Sequence, residues 1–253
     1  MTATGTRGDV NLLECTAVSV LGIDSATADV AVAVTRDGEV VQEESIGPGV
    51  DGRPRHSRIL LAEVERSVEA AGGWGAIGRI AVGVGPGSFT GLRIGIATAR
   101  ALAQGHGIPI APVGSLAALA RGISGDPEAG DRTALPVLDA RRGEVFAALH
   151  GPDGSELWPP SVADPGEVVD RLRELDQPPL AAGDGALRFA SDLETGGATV
   201  APPGDPVHRI AARHVCALGE TANDLPPDRI EPVYLRPPDA KRWLQRDRNQ
   251  PNG

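Results

Sequence analysis

A glycine-rich turn between a strand and a helix constrains this chain more than any other part of its sequence. The apolar run Ile80 to Val84 leads into Gly85-Pro86-Gly87-Ser88-Phe89-Thr90-Gly91, and a helical pattern continues to about Gln104. Such a turn exposes backbone N–H groups that suit an anion. It is not a P-loop, because the Gly-Lys-Ser/Thr ending is missing, and Thr90 stands where G-x-G-x-x-G requires its third glycine.

Three strands and a helix precede this unit. The strands are predicted at Val18 to Ile23, Val30 to Thr35 and Glu39 to Ser45, and Asp37-Gly38 is typical of a hairpin turn. The helix runs from about Arg55 to Ala71, with apolar residues at helical spacing: Leu60, Leu61, Val64 and Val68. The order βββαβα predicts an RNase H-like α/β lobe.

A second, degenerate copy of this lobe is predicted after residue 110. Residues 138–149 align with residues 23–34, so that Asp139 matches Asp24 at the end of a strand. We therefore expect two related lobes, 18–110 and 111–240, with a disordered tail at 1–17 and a flexible tail at 241–253. Between Gly151 and Pro206, which is rich in Pro and Gly, only two elements are predicted, the helix Asp164 to Leu175 and the strand Pro179 to Ala182. A last helix is expected near His208 to Leu218.

The composition excludes several classes of protein. With 34 acidic and 24 basic residues the net charge is -10, so no general attraction to nucleic acid or to anionic membranes is expected. Cys15 and Cys216 are the only cysteines, which excludes a disulfide scaffold and fits a reducing cytoplasm. No apolar run reaches the ~20 residues of a membrane helix, and the N-terminus lacks the pattern of a signal peptide. A cytoplasmic protein without membrane contact is the expectation.

The residues that commonly carry chemistry form no recognisable group. None of the five histidines belongs to a His-x-x-x-His pair, which excludes the common zinc-helix motif. Ser88 and Ser115 both lie near glycines, but neither is in G-x-S-x-G. The sequence therefore predicts neither a metal site nor a hydrolase triad.

A ridge of small residues follows the glycine turn. Four residues spaced four apart share one side of the predicted helix: Gly91, Gly95, Ala99 and Ala103. Small side chains let another helix or a sheet approach closely. The ridge therefore indicates either packing within the chain or an interface with another protein.

Five motifs together resemble the TsaB (YeaZ) family. They are Leu21 to Thr27, Arg55-His56-Ser57, the run Gly85 to Leu102, Asp139 to Phe146, and Pro232-Val233-Tyr234-Leu235-Arg236. The resemblance spans residues 18–236 and implies the actin-like ATPase (ASKHA) fold, in agreement with two lobes. It also implies a part in making threonylcarbamoyladenosine on tRNA, at the adenosine 3′ of the anticodon.

The resemblance further implies an accessory subunit rather than an enzyme. The related catalytic protein TsaD carries a metal-binding Asn-His-Leu-Glu-Gly-His motif, and Ser115 and Leu119 stand here in place of its histidines. Neither side chain replaces an imidazole ligand. The expected partners are a TsaD-like subunit and a TsaE-like ATPase, with tRNA bound only through the complex and no cofactor of its own, since ATP would act at the level of the complex. The first-lobe helices would form the partner interface through Leu60, Val64, Val68, Gly91, Leu92, Gly95, Ile96, Ala99 and Ala103.

The fold also implies a vestigial nucleotide cleft. Active actin-like ATPases bind phosphate and metal at the positions of Asp24, Ser25, Thr27 and Asp139, and Gly183 and Gly185 stand where an adenosine loop would be. Three alternatives stay open: a small actin-fold ATPase or kinase, a metallopeptidase-like protein, and a homodimer with a regulatory role.

Overall fold

Two five-stranded sheets with the same strand order form the framework of residues 19–236, the part of the chain that the computed structural model describes. The tails predicted at 1–17 and 241–253 lie outside the described residues. In the first sheet the strands are β1 (Ser19–Asp24), β2 (Val30–Arg36), β3 (Glu39–Ile46), β4 (Ile77–Gly83) and β5 (Ile110–Val113). Their order is β3-β2-β1-β4-β5; β1 to β3 form an antiparallel meander, whereas β4 and β5 run parallel to β1. The predicted meander is confirmed.

Two long helices cover the outer side of the first sheet. Helix α1 (His56–Ala70) packs on β2 and β3, and α2 (Phe89–His106) packs on β1, β4 and β5. The α2 helix begins where the Ser88 side chain accepts a hydrogen bond from Gly91 N, and it ends at Gly107, whose φ of 67° suits glycine. Apolar residues three and four apart explain why each helix buries one side.

The second sheet repeats this order. Helix α3 (Ser115–Ser124) leads to β6 (Ala134–Arg141), β7 (Glu144–His150), β8 (Glu156–Ala163), β9 (Leu180–Ala182) and β10 (Thr199–Val200), arranged β10-β9-β6-β7-β8. Helices α4 (Pro165–Leu172), α5 (Asp184–Arg188) and α6 (Ala190–Thr195) pack on its outer side.

The expectation of only one helix and one strand between residues 151 and 206 is wrong. Strand β8 is not predicted from the sequence because it contains Pro159 and Pro160, which are rare in strands. It can form because it is an edge strand, in which one side of the backbone has no neighbouring strand to pair with. Strand β10 and helices α5 and α6 have two, five and six residues, too few to show a period.

Two helices lie between the sheets and join them. Helix α3 packs on β6, β7 and β9, whereas α7 (Ala212–Thr221) returns to β1, β2 and β4, and the two helices contact each other. Gly22 lets helix α7 lie close to β1, because a Cβ at this position would lie only 2.6 Å from Cys216 Sγ. The observed helix α7 starts at Ala212, four residues after the predicted start at His208, because residues 206–208 form a 3-10 turn.

We call the first sheet with α1, α2 and α7 the first lobe, and the second sheet with α3 to α6 the second lobe. One apolar core runs from the first sheet through α3 and α7 to the inner face of the second sheet, and a smaller core lies under α4 to α6. The predicted division into residues 18–110 and 111–240 stays a prediction. In the definition used here, β5 and α7 are counted with the first lobe because β5 belongs to its sheet and α7 packs on that sheet. None of the helices within residues 19–236 is long and apolar enough to cross a membrane.

Candidate functional site

A cavity of ≈ 630 Å³ lies in the cleft between the two lobes. Its first-lobe wall is the β1–β2 turn, at residues 26–28, with residues 87–90 at the start of α2. Its second-lobe wall is the end of β6, at residues 138–142, with Phe146 and Asp184, and residues 233–236 close one side. This volume lies within the range typical of small-molecule pockets, about 300–1,000 Å³.

Asp24 ends β1 but its carboxylate is enclosed by the protein. Ala26 N donates to Oδ1 (2.7 Å), and Ser115 Oγ donates to Oδ2 (2.7 Å). Burial raises the pKa of the Asp24 carboxyl above its ordinary value, although these two hydrogen bonds act in the opposite direction. Because Asp24 does not line the cavity, its oxygens are directed at the protein itself.

Ser115, which the resemblance matches to the first TsaD histidine, therefore has a structural partner in Asp24. Its Oγ also accepts a hydrogen bond from Gly85 N (3.2 Å), so it links Asp24 to the glycine turn after β4. Leu119 is completely buried in the main core. Both positions serve packing and internal hydrogen bonding, and within the described residues no group of three or more His, Cys, Asp or Glu side chains could hold a metal ion.

Ser25 and Thr27 continue the β1–β2 turn in different directions. The Ser25 hydroxyl donates to Gly91 O (2.9 Å), which fixes the turn against the first residues of α2. Thr27 lines the cavity, and its Oγ1 accepts a hydrogen bond from Asp29 N (3.2 Å). Only Thr27 of these two is placed to contact a molecule in the cleft.

Asp139 is the second-lobe counterpart of Asp24 and lines the cavity. Its Oδ2 is paired with Arg188 (2.8 Å) and Arg141 (3.1 Å), and only 6% of its side chain is exposed. Asp139 N donates to the Asp184 carboxylate (2.9 Å). Burial of Asp184 and the nearby Asp139 charge raise the pKa of Asp184. The cleft thus has a mixed wall of arginines and carboxylates.

Gly183 and Gly185 pack against β6 rather than around the cavity. A Cβ on Gly183 would lie 2.1 Å from Val137 O, and one on Gly185 would lie 2.6 Å from the Leu138 carbonyl carbon. These glycines let α5 lie directly on the strand. Of the six residues predicted for a nucleotide, only Thr27 and Asp139 line the cavity, and the nucleotide role of all six stays a prediction.

The nine residues predicted as a partner interface face the inside of the molecule. All are buried against the chain's own first sheet and its turns: Leu60, Val64, Val68, Gly91, Leu92, Gly95, Ile96, Ala99 and Ala103. A Cβ on Gly95 would lie 2.2 Å from Ser25 Oγ, so the ridge of small residues serves close packing within the chain. The surface of these helices that a partner can reach is the opposite one.

That opposite surface is exposed, and on α2 it includes two small side chains. We call it the outer helix face and define it by Leu61 and Glu65 on α1 with Arg93, Ala97 and Ala101 on α2, all of which are exposed. Leu61 is the most apolar of them and is 52% exposed. Sequence periodicity gives no sign of it, because an apolar period identifies the buried side and leaves the other side undefined.

Comparison with known proteins identifies the family. A family model described as "TsaD: tRNA N6-adenosine threonylcarbamoyltransferase" matches residues 46–189. The "tRNA threonylcarbamoyladenosine biosynthesis protein TsaB" of Escherichia coli is 31% identical over 229 residues, which cover 86% of this chain and 94% of that protein. The chain belongs to the TsaB (YeaZ) family.

Other family members agree with this result. The TsaB protein of Bacillus subtilis is 26% identical over 238 residues, covering 90% of this chain and 99% of that protein. The solved structure of YeaZ from Pseudomonas aeruginosa has a TM-score of 0.71 at 23% identity, covering 86% of this chain and all of that chain. The predicted α/β fold with two related lobes is thereby confirmed as the fold that this chain shares with YeaZ.

Proposed function

We propose that this chain is a non-catalytic scaffold subunit in the synthesis of threonylcarbamoyladenosine on tRNA. It would bind a TsaD-like catalytic subunit, which a TsaE-like ATPase joins, and it would contact tRNA only through that complex in the cytoplasm. The supporting comparison is the E. coli relative named as a biosynthesis protein of this modified nucleoside. The supporting geometry is Ser115, whose hydroxyl is bound to buried Asp24, at the position where the resemblance to TsaD implies a metal ligand.

The outer helix face is the surface that best suits such a partner. The TsaD family model matches residues 46–189, which include both α1 and α2, so the proposed partner shares the fold of this region. Two related folds can pair through equivalent surfaces in a nearly two-fold arrangement, as homodimers do. The small side chains of Ala97 and Ala101 would let a helix of the partner approach closely.

Co-purification with the TsaD-type protein of the same source tests this proposal. We expect Ala97→Arg and Ala101→Trp to abolish the complex, because each places bulk at an exposed position of α2. Ser191→Trp is a matched control on exposed α6 of the second lobe and leaves the complex intact. Equal recovery of all three variants with the partner would contradict the proposed surface.

Reconstituted tRNA modification tests the role itself. We expect product to form with the catalytic subunit and this chain together, and to be lost with Ala101→Trp in proportion to the lost complex. The alternative, a small actin-fold ATPase, is favoured only by the cleft cavity. It predicts ATP turnover by the purified chain, and such turnover would contradict a non-catalytic role.

A further inference from the structure

A short segment near the end of the described chain crosses the cleft from one lobe to the other. We call residues 231–236 the strap. Val233 N donates to Val84 O (2.7 Å), just after β4 of the first lobe. Three residues later, Arg236 Nη1 donates to Ala140 O (3.1 Å) on β6, and the Arg236 guanidinium is paired with Glu144 on β7. Both lobes are thus joined within four residues.

An aromatic contact fixes the middle of the strap. The Tyr234 ring stacks on Phe89, the first residue of α2, with centroids 5.2 Å apart. The Arg93 guanidinium lies 4.7 Å from the Phe89 centroid, so the ring of Phe89 has a contact with each of these side chains. Ring stacking and cation–π contacts stabilise such a layer beyond simple burial. The strap is therefore held at Val233, Tyr234 and Arg236.

The two aspartates that correspond between the lobes already have partners within the protein. In two-lobed proteins that close on a ligand, polar groups of both lobes contact that ligand. Here the Asp24 carboxylate is bound by Ser115 and Ala26, and the Asp139 carboxylate is bound by Arg141 and Arg188. At the base of the cleft the lobes are joined by α3 and α7, which lie between the sheets.

We propose that the strap takes the place of a ligand as the bridge across the cleft. It would hold the two lobes at one fixed distance from each other. The chain would then present the same relative position of its lobes without a nucleotide, because its own residues supply the bridge. The proposal concerns the isolated chain, so it does not depend on the proposed partner.

Distance measurements between spin labels on the two lobes test the strap. Asp51→Cys and Leu187→Cys place one label at an exposed position of each lobe. Cys15→Ser removes a cysteine that the label could also modify, and Cys216 is buried. In the unaltered chain we expect one narrow distance distribution. In the double variant Tyr234→Ala/Arg236→Ala we expect the distance distribution to widen about twofold, because the side-chain contacts of the strap with both lobes are lost.

A matched control removes a similar pair of side chains elsewhere. The Arg171 guanidinium lies 4.0 Å from the Trp158 ring in the second lobe, away from the cleft, so Trp158→Ala/Arg171→Ala should leave the distribution narrow. An unchanged distribution in the strap variant would overturn the proposal. If the double variant does not fold, each single substitution is measured, and widening is expected from each.

Magnesium ADP provides an independent arm of the same experiment. Because the strap already bridges the cleft, adding Mg²⁺ and ADP to the unaltered chain should leave the distances as they are. A shift to shorter distances would show that the bridge is a nucleotide rather than the strap, and it would also overturn the proposal.

Discussion

The two lobes have the same sheet order but very different outer layers. In the first lobe, α1 and α2 have 15 and 18 residues, whereas α4, α5 and α6 of the second lobe have 8, 5 and 6. The corresponding last strands shorten as well, from 7 and 4 residues in β4 and β5 to 3 and 2 in β9 and β10. The sheet order thus persists while only the first lobe keeps long helices with a continuous outer face.

The aspartates at or near the end of the first strand of each lobe also differ. Asp24 is enclosed and bonded to neutral groups, the Ala26 N–H and the Ser115 hydroxyl. Asp139 is paired with two arginines that are 72% and 49% exposed. Both carboxylates accept a hydrogen bond from the N–H two residues on, but their other partners differ: a buried hydroxyl for Asp24 and two exposed arginines for Asp139.

We expect the largest difference in stability between the two positions when each carboxylate is removed in turn. Asp24→Ala should lower the free energy of unfolding by about 2–4 kcal/mol, because the Ser115 hydroxyl and the Ala26 N–H are left without an acceptor in a buried site. Asp139→Ala should cost about 1 kcal/mol, because Arg141 and Arg188 remain in contact with water. Urea unfolding of both variants measures the difference, and equal losses would remove the distinction.

The pH dependence of stability gives a smaller effect at the same position. Because the pKa of Asp24 is raised in the folded state, that state binds more protons than the unfolded state at pH values between 3.8 and the folded pKa. Stability from this group is therefore highest below 3.8 and falls as pH rises through the window. Asp24→Asn removes this slope, which urea unfolding from pH 4 to 7 would detect as a difference from the unaltered chain. Parallel stability curves would count against a raised pKa.

The hairpin turns should show the smallest contrast between the lobes. Gly38 ends the β2–β3 turn with φ 81°, Gly143 ends the β6–β7 turn with φ 82°, and a Cβ at either would meet no atom within 4 Å. Gly38→Ala and Gly143→Ala should therefore each cost about 1 kcal/mol, from backbone conformation alone. Thermal unfolding compares them, and a clear inequality would show that one turn carries an additional contact.

Much of the first lobe can be predicted from local sequence patterns. Val30 to Thr35 is a strand in which the apolar run and the following Asp37-Gly38 turn agree, and both occur in the structure. The second lobe is harder, because β10 and α6 are held by their neighbours in the sheet and core rather than by their own periodicity. Short elements of this kind have no local signal strong enough to identify them.

The sequence by itself determined the family, the two-lobed α/β class and the positions of Asp24, Ser115 and Asp139, because motifs and periodicity are properties of neighbouring residues. Only the tertiary structure decided which side of α2 is free, since Gly95 and Ala99 could equally have met a partner or the chain's own sheet. It alone showed that Ser115 binds Asp24 across 91 residues and that residues 233 and 236 join the two lobes. Such contacts depend on how distant segments are brought together by the shared core, and no local pattern encodes them.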